Sequence, residues 1–459
     1  MTDGLVAGPP GAAPAVTTYW CELAWLGDAT GHVESGVTVT VAGDRITAVT
    51  AGVQPPAGAT QLGGLTVPGF ANAHSHAFHR ALRGRTHGAT GSFWTWRAAM
   101  YELAARLDPD RYLALATATF AEMALAGYSC AGEFHYLHHA PGGRPYDEPN
   151  VMGEVLRCAA ADAGIRLTLL DTCYLDGGFG TALDEVQQRF GDGDTDSWTA
   201  RADALPSSDT VRIGAAIHSV RAVDPASVTV VSAWAADRTA PLHAHVSEQP
   251  AENEECRLAH GCTPVELLDR QGALTERFTA VHATHLVDAD VALLARAGAT
   301  CCLCPTTERD LADGIGPSAA FRSAGVPMCL GTDSHAVIDP FEDARAVELD
   351  ERLVSMQRGT HRAGELLAMA TVVGHRSLGW TDAGLIAPGM LADLTTISLD
   401  SVRLAGTDAS SADAAVVFAA SAADVRHVVV GGRVIVRDGA HVRIDVAGAL
   451  DRSIRDVWA

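Results

Sequence analysis

Four widely spaced stretches of this 459-residue chain each set metal-type ligands at the end of an apolar run: His74-Ser75-His76, His243-Ala244-His245-Val246-Ser247-Glu248, His282-Ala283-Thr284-His285 and Gly331-Thr332-Asp333-Ser334-His335. Imidazole nitrogens and carboxylate oxygens hold Zn²⁺ and related divalent ions, and a site that keeps one position for water can activate it. A single His-x-His carries little information. Four such stretches in this order point to one hydrolytic metal centre at the mouth of a barrel. The chain has no lysine, all 33 basic residues being arginine. A metal pair bridged by a carboxylated lysine is therefore excluded, and a single ion is expected.

In barrels of alternating strands and helices the site lies at the C-terminal strand ends. Side-chain alternation puts His74 and His76 on one face of the first strand, and His243 and His245 on one face of the fifth. His74, His76, His245 and Asp333 form the expected metal set, with Zn²⁺ the default and Fe²⁺ or Mn²⁺ compatible. Asp333 is also suited to take a proton from the attacking water. His282 is placed to hydrogen-bond the hydroxyl. Glu248, three residues past His245, is suited to carry a proton to a leaving nitrogen. His243 reads as a core histidine behind His245, and His285 and His335 as supports. Cys301 and Cys304 fit Cys-x-x-Cys but lack a second pair, so they read as core.

These side chains need strands to carry them. Short apolar runs at 65–73, 128–136, 166–175, 211–220, 241–246, 278–285, 300–305 and 326–333 alternate with helix-like stretches at 111–126, 152–163, 227–237, 263–271, 288–297 and 318–323. Eight such alternations predict a (β/α)₈ barrel over 67–385. Residues 16–66 and 386–459 read differently. They hold β-rich runs with turn signals at Gly43-Asp44 and Gly431-Gly432. Neither end can bury a core alone, so both are expected to pair into one composite β-sandwich. Residues 1–15 read as a disordered tail, and 184–207, rich in Asp and Gly, as a loop.

Composition narrows the partners. The formal charge is −22, from 55 acidic and 33 basic residues. Such a field repels nucleic acid and anionic membrane, and an anionic substrate then needs arginines inside the pocket. No run reaches a membrane span, and no secretory signal precedes the ten cysteines, which predicts a reduced, cytoplasmic protein. Aromatic residues make up only 6%. That figure argues against a pocket built to stack a ring.

The stretch Val67-Pro68-Gly69-Phe70-Ala71-Asn72-Ala73-His74-Ser75-His76, with His245-Val246-Ser247-Glu248, His282 and Gly331-Thr332-Asp333, resembles the amidohydrolase superfamily, in its mononuclear aminohydrolase branch. Within that branch, Phe93-Trp94-Thr95-Trp96-Arg97, Glu133-Phe134-His135-Tyr136-Leu137-His138-His139 and His218-Ser219-Val220-Arg221 resemble the formimidoylglutamate deiminases. The resemblance implies hydrolysis of N-formimidoyl-L-glutamate to N-formyl-L-glutamate and ammonia, in histidine breakdown, by a homodimer. It also implies that Arg97, in the long loop after the first strand, clamps the substrate with Tyr136, His218 and Arg221. Arginine forks suit carboxylates. His79 stands where this family has glutamine, which leaves open a different N-formimidoyl acid. Ring deaminases of the same branch are the rival reading, and a non-catalytic scaffold is a remoter one.

Overall fold

The computed structural model describes residues 16–87, 91 and 93–459. The expected tail at 1–15 lies outside them. The N-terminal runs form β1 (Val16–Trp25), β2 (Val33–Ala42), β3 (Arg45–Thr50) and β4 (Thr60–Pro68), with Gly43-Asp44 turning β2 into β3. Eight further strands follow: β5 (Phe70–Ser75), β6 (Tyr128–His135), β7 (Arg166–Cys173), β8 (Val211–Ile217), β9 (Leu242–Val246), β10 (Phe278–His282), β11 (Thr300–Leu303) and β12 (Met328–Leu330). They lie parallel in sequential order, and a parallel bridge between Ser75 and Asp333 joins the last to the first. This is the (β/α)₈ barrel that the alternation predicts.

The C-terminal runs form β13 (Leu394–Ile397), β14 (Val425–Val430), β15 (Arg433–Arg437) and β16 (Ala440–His441). They join the N-terminal strands in the order β16-β15-β14-β13-β4-β1-β2-β3, with β13 antiparallel to β4. The layer curls until the Tyr19 hydroxyl donates to Gly432 O at 2.8 Å. Tyr19, Val39, Leu62, Leu394 and Val429 share its core, so both chain ends build one composite sandwich.

Helices fill the intervals. Those that matter for the site are α1 (Phe93–Arg106), α2 (Pro109–Leu125), α3 (Val151–Ala163), α4 (Thr195–Asp203), α5 (Pro225–Asp237) and α6 (Pro250–His260). Local sequence explains their ends. Asp108 accepts from Arg111 N and Asp224 from Ala226 N and Ser227 N, just past Pro109 and Pro225, and α3 stops at left-handed Gly164. Among the described residues no helix is long and apolar enough to cross a membrane.

Four expectations need correction. The run 65–73 is two strands, because Pro68 offers no N–H and Gly69 sits where a Cβ would come within 2.4 Å of Ser129 Oγ. Its first half belongs to the outer sheet. The segment 184–207 contains α4, whose N-cap Asp194 accepts from Ser197 N at 2.7 Å. Arg97 lies on α1 rather than in a loop. Its helix buries Phe93, Met100, Leu103 and Ala104 along one stripe, a helical spacing that the aromatic, strand-like composition of residues 93–96 obscures. Finally, the end of the segment assigned to the sandwich is a helix, Val446–Trp458, lying against the barrel. Trp458 Nε1 donates to Ala81 O at 3.0 Å, and Asp456 meets Arg111 of α2 at 3.2 Å.

One buried ion pair couples the two sheets. Arg166 of β7 meets Asp393 at 2.8 and 3.2 Å, and Asp393 Oδ1 also accepts from Gly431 N at 2.7 Å. Both side chains are almost fully buried. Removing one partner strands the other charge in low dielectric. Asp393→Ala is expected to cost about 3–5 kcal/mol, read as a lowered urea midpoint; an unchanged midpoint would refute the coupling.

Candidate metal centre and substrate cavity

His74 and His76 emerge at the end of β5, His245 on β9, His282 at the end of β10, and Asp333 just past β12. Each is nearly or fully buried. His74 Nε2 and His76 Nε2 each lie 3.4 Å from Asp333 Oδ1, and His245 Nε2 lies 3.2 Å from His74 Nε2. Two of the rings have fixed tautomers. His76 Nδ1 donates to Phe134 O and His245 Nδ1 to His218 O, both at 2.9 Å. Their Nε2 atoms therefore present lone pairs to a common point. Burial lowers the pKa of His74 and His245 and takes His76 down to about 3, so these imidazoles are neutral. Burial pushes the Asp333 carboxyl up, yet His74 and the neighbouring rings bring it below the usual carboxylate range. Neutral imidazole lone pairs converging on one anionic oxygen fit a divalent cation.

The backbone is strained at this point. Ser247, His282, Ala283, Asp333 and His335 all have φ between 41° and 65°. Left-handed non-glycine residues concentrated at strand ends mark a place where side-chain aim outweighs local comfort.

A second group stands over the ligands. His282 Nε2 lies 3.8 Å from both Glu248 Oε1 and Asp333 Oδ2, and its Nδ1 lies 3.4 Å from Glu308 Oε1. Burial opposes a charge on His282, but Glu248, Glu308 and Asp333 raise it to about 10. Burial lifts Glu248 to about 7 against the pull of His282 and Arg221. The centre thus combines neutral rings below with a cationic imidazole and a carboxyl poised near neutrality above.

From there a cavity opens outward, lined by His79, Arg97, Tyr136, His218, Arg221 and Glu248 among others. All five residues expected to bind substrate line it. His79 Nε2 meets the Tyr136 hydroxyl at 3.0 Å, and burial keeps its ring neutral. Arg97 donates from Nε to Tyr101 OH at 2.7 Å. Among the described residues no carboxylate lies within ion-pair distance of it. Arg221 has one such neighbour, Glu252 at 3.7 Å. His243, by contrast, bonds Ser377 O at 3.0 Å within the buried core.

The cavity also corrects the argument from composition. Phe93, Trp96, Tyr101, Tyr136, Tyr174 and Phe190 line it, so a chain poor in aromatics gathers them here. Three other groups escaped the sequence reading. Glu308, in the helix Pro305–Leu311 that follows the seventh barrel strand, accepts from Cys304 N at 2.8 Å and lies 3.4 Å from His282 Nδ1. Glu133 takes hydrogen bonds of 2.6 Å from Ser75 Oγ and from Ala77 N, and so holds the turn that carries His74 and His76. Arg189 donates to Leu107 O at 2.7 Å and to Ala104 O, tying down the end of α1. Glu133 and Glu308 lie near barrel strand ends, a signal within reach of sequence; Arg189 offers none.

Residues 65–435 match the amidohydrolase family. The chain belongs to the amidohydrolase family. It is 36% identical over 408 residues to a formimidoylglutamate deiminase of Pseudomonas aeruginosa, covering 86% of this chain and 90% of that one. A 5-methylthioadenosine/S-adenosylhomocysteine deaminase of Natronomonas pharaonis is 30% identical over 400 residues, 85% of each chain. Among solved structures, an amidohydrolase from Brucella melitensis superposes with a TM-score of 0.89 at 31% identity, covering 96% of this chain and all of the other. Enzymes of this family bind a divalent metal, and the cluster of His74, His76, His245 and Asp333 fits one.

His245→Ala removes one of two rings whose lone pair is fixed inward. Bound divalent metal is expected to fall from about one per chain to a small fraction, measured by elemental analysis of purified protein. Full metal content in the variant would remove His245 from the ligand set.

Proposed function

We propose that this amidohydrolase is a deiminase that converts N-formimidoyl-L-glutamate and water to N-formyl-L-glutamate and ammonia. The observation that carries the reading is the pair of guanidiniums, Arg97 and Arg221, in a cavity whose inner end is the ligand cluster. An acidic protein offers a dicarboxylate few binding points, and two cations inside the pocket supply them. The 36% identity to a formimidoylglutamate deiminase supports the same substrate.

His74, His76, His245 and Asp333 would hold one divalent ion, Zn²⁺ by preference, which supplies electrophilicity and lowers the pKa of water toward about 7. The chain's own groups do the rest. Arg97, Arg221, Tyr136, His218 and His79 anchor the glutamate part and orient the formimidoyl carbon. Asp333 accepts the proton that the attacking water gives up. His282, held cationic by Glu248 and Glu308, hydrogen-bonds the new oxygen. Glu248, near neutrality in pKa, passes a proton to the departing nitrogen. One C–O bond forms, one C–N bond breaks, and ammonia leaves.

A ring amine is the second reading, and the six aromatic side chains of the cavity favour it together with the nucleoside-deaminase relative. It leaves the Arg97 guanidinium without a counter-charge, which is why the dicarboxylate is preferred. The expected homodimer and place in histidine breakdown belong to the same proposal and rest on the sequence resemblance; the expected cytoplasmic location rests on the absence of a secretory signal ahead of the cysteines.

Ammonia release decides between the readings. With metal-loaded protein, N-formimidoyl-L-glutamate is expected to turn over and a panel of ring amines not to. Glu248→Gln is expected to lower kcat by about 10²–10⁴-fold with metal retained. Arg97→Met is expected to raise KM by about tenfold or more, as loss of a charge-assisted contact of ~1.5–3 kcal/mol requires. Turnover of a ring amine alone would sink the assignment.

A further inference from the structure

Arg97 and Arg221 line two spaces. One is the inner cavity; the other is an open groove of about 1040 Å³, whose walls include Trp94, Gly177, Phe179, Glu255 and Leu258. The metal-type ligands face only the inner one. The guanidiniums therefore form a threshold, and the far end of any substrate they hold is turned toward the groove.

The groove has a built wall. Residues 177–181 form a tight turn, with Gly177 N donating to Thr181 O at 2.7 Å and Thr181 N to Gly178 O at 2.9 Å. The buried Gln187 side chain braces it, donating to the Tyr174 hydroxyl at 2.9 Å, and Tyr174 lines the inner cavity. A Cβ at Gly177 would come within 2.5 Å of Ala182 O, so only glycine allows the turn this shape. Opposite, Leu258 on α6 is 87% exposed and Trp94 on α1 is 48% exposed. Two large apolar side chains thus stand open beside two cations in a strongly acidic protein. That combination is complementary to an apolar side chain on a carboxylate-terminated group, continuous with a substrate already clamped at the threshold.

We propose that this groove is a second substrate subsite, which accepts an apolar amino acid joined as an amide to the distal carboxyl of the N-formimidoyl acid. The inference rests on the reading of the preceding section. The amide oxygen takes the N–H donors that the distal carboxylate would use, and the new terminal carboxylate stays near the same guanidiniums. The added side chain covers Leu258 and Trp94. The reaction is unchanged: water adds its oxygen to the formimidoyl carbon, the C–N bond to the terminal nitrogen breaks, and ammonia departs.

The test compares ammonia release from N-formimidoyl-L-glutamate and from its γ-linked leucine amide, with metal-loaded protein and with Leu258→Glu. Leu258 is exposed, so the variant keeps its fold. The parent protein is expected to use the extended substrate within about tenfold of the simple one in kcat/KM. Leu258→Glu is expected to lower that for the extended substrate by about tenfold, the worth of one leucine contact, and to leave the simple acid unchanged. Turnover of the simple acid with none of the extended one overturns the subsite alone, as does an equal effect of Leu258→Glu on both. A shift of the variant to a smaller oligomer would assign the face to a second copy of the chain and also overturn it. No turnover of either substrate by the parent protein overturns this proposal together with the one beneath it.

Discussion

Closure of the barrel and assembly of the site are the same event. Asp333 N donates to His74 O at 3.0 Å, and His76 N donates to Asp333 O at 3.2 Å. These two backbone bonds join the first strand to the last across some 260 residues of chain. They also fix His74, His76 and Asp333 relative to one another. Around the seam runs a chain of side-chain bonds: Asn72 to Thr332 at 2.7 Å, Thr332 to His335 at 2.8 Å, His335 to Ser75 at 3.2 Å, and Ser75 to Glu133 at 2.6 Å. Gly331 is required beside it, since a Cβ there would lie 2.7 Å from the His74 side chain. The left-handed backbone at Asp333 and His335 is sustained because so many bonds over-determine the seam.

Charge is partitioned along the cavity. At the bottom, burial holds the histidines neutral, leaving lone pairs for a cation. One layer up, three carboxylates hold His282 charged. At the outer end stand two guanidiniums. On the proposed reading the acid end of the substrate meets the two guanidiniums, and in a chain of formal charge −22 those interior cations are the main attraction for an anion. The same partition explains why His79 fits where a neutral amide would also serve. Burial keeps its ring neutral, so it contributes a hydrogen bond to Tyr136 rather than a third charge.

The sequence revealed what strand periodicity controls. The spacing of strand-end histidines anticipates that His74, His76 and His245 meet Asp333 at one point, whereas His243, two residues before His245, turns to Ser377 O in the core. The composite sandwich was legible because neither end of the chain had enough apolar surface to stand alone. What it hid depends on tertiary placement. Residues 93–96 have strand-like composition, and only packing against the barrel makes them the first turn of α1. A chain with 6% aromatics gave no hint that six of them share one cavity. Arg189 is invisible for the same reason, since its partners at 104, 107 and 139 are backbone carbonyls from two separate segments.

The outer sandwich is tied to the site through covalent continuity as well as packing. β4 leaves the outer sheet at Pro68, and two residues later β5 begins the strand that ends in His74 and His76. Gly69 N donates to Asp393 O at 2.9 Å, and the Asp393 side chain grips Arg166 of β7. The first barrel strand is therefore held at its start by the sandwich and at its end by Asp333. A strand pinned at both ends has no freedom to slip in register, and a slip of one residue would turn His74 and His76 away from the centre. On this argument the sandwich, although it lines no part of the cavity, is what keeps His74 and His76 aimed at it.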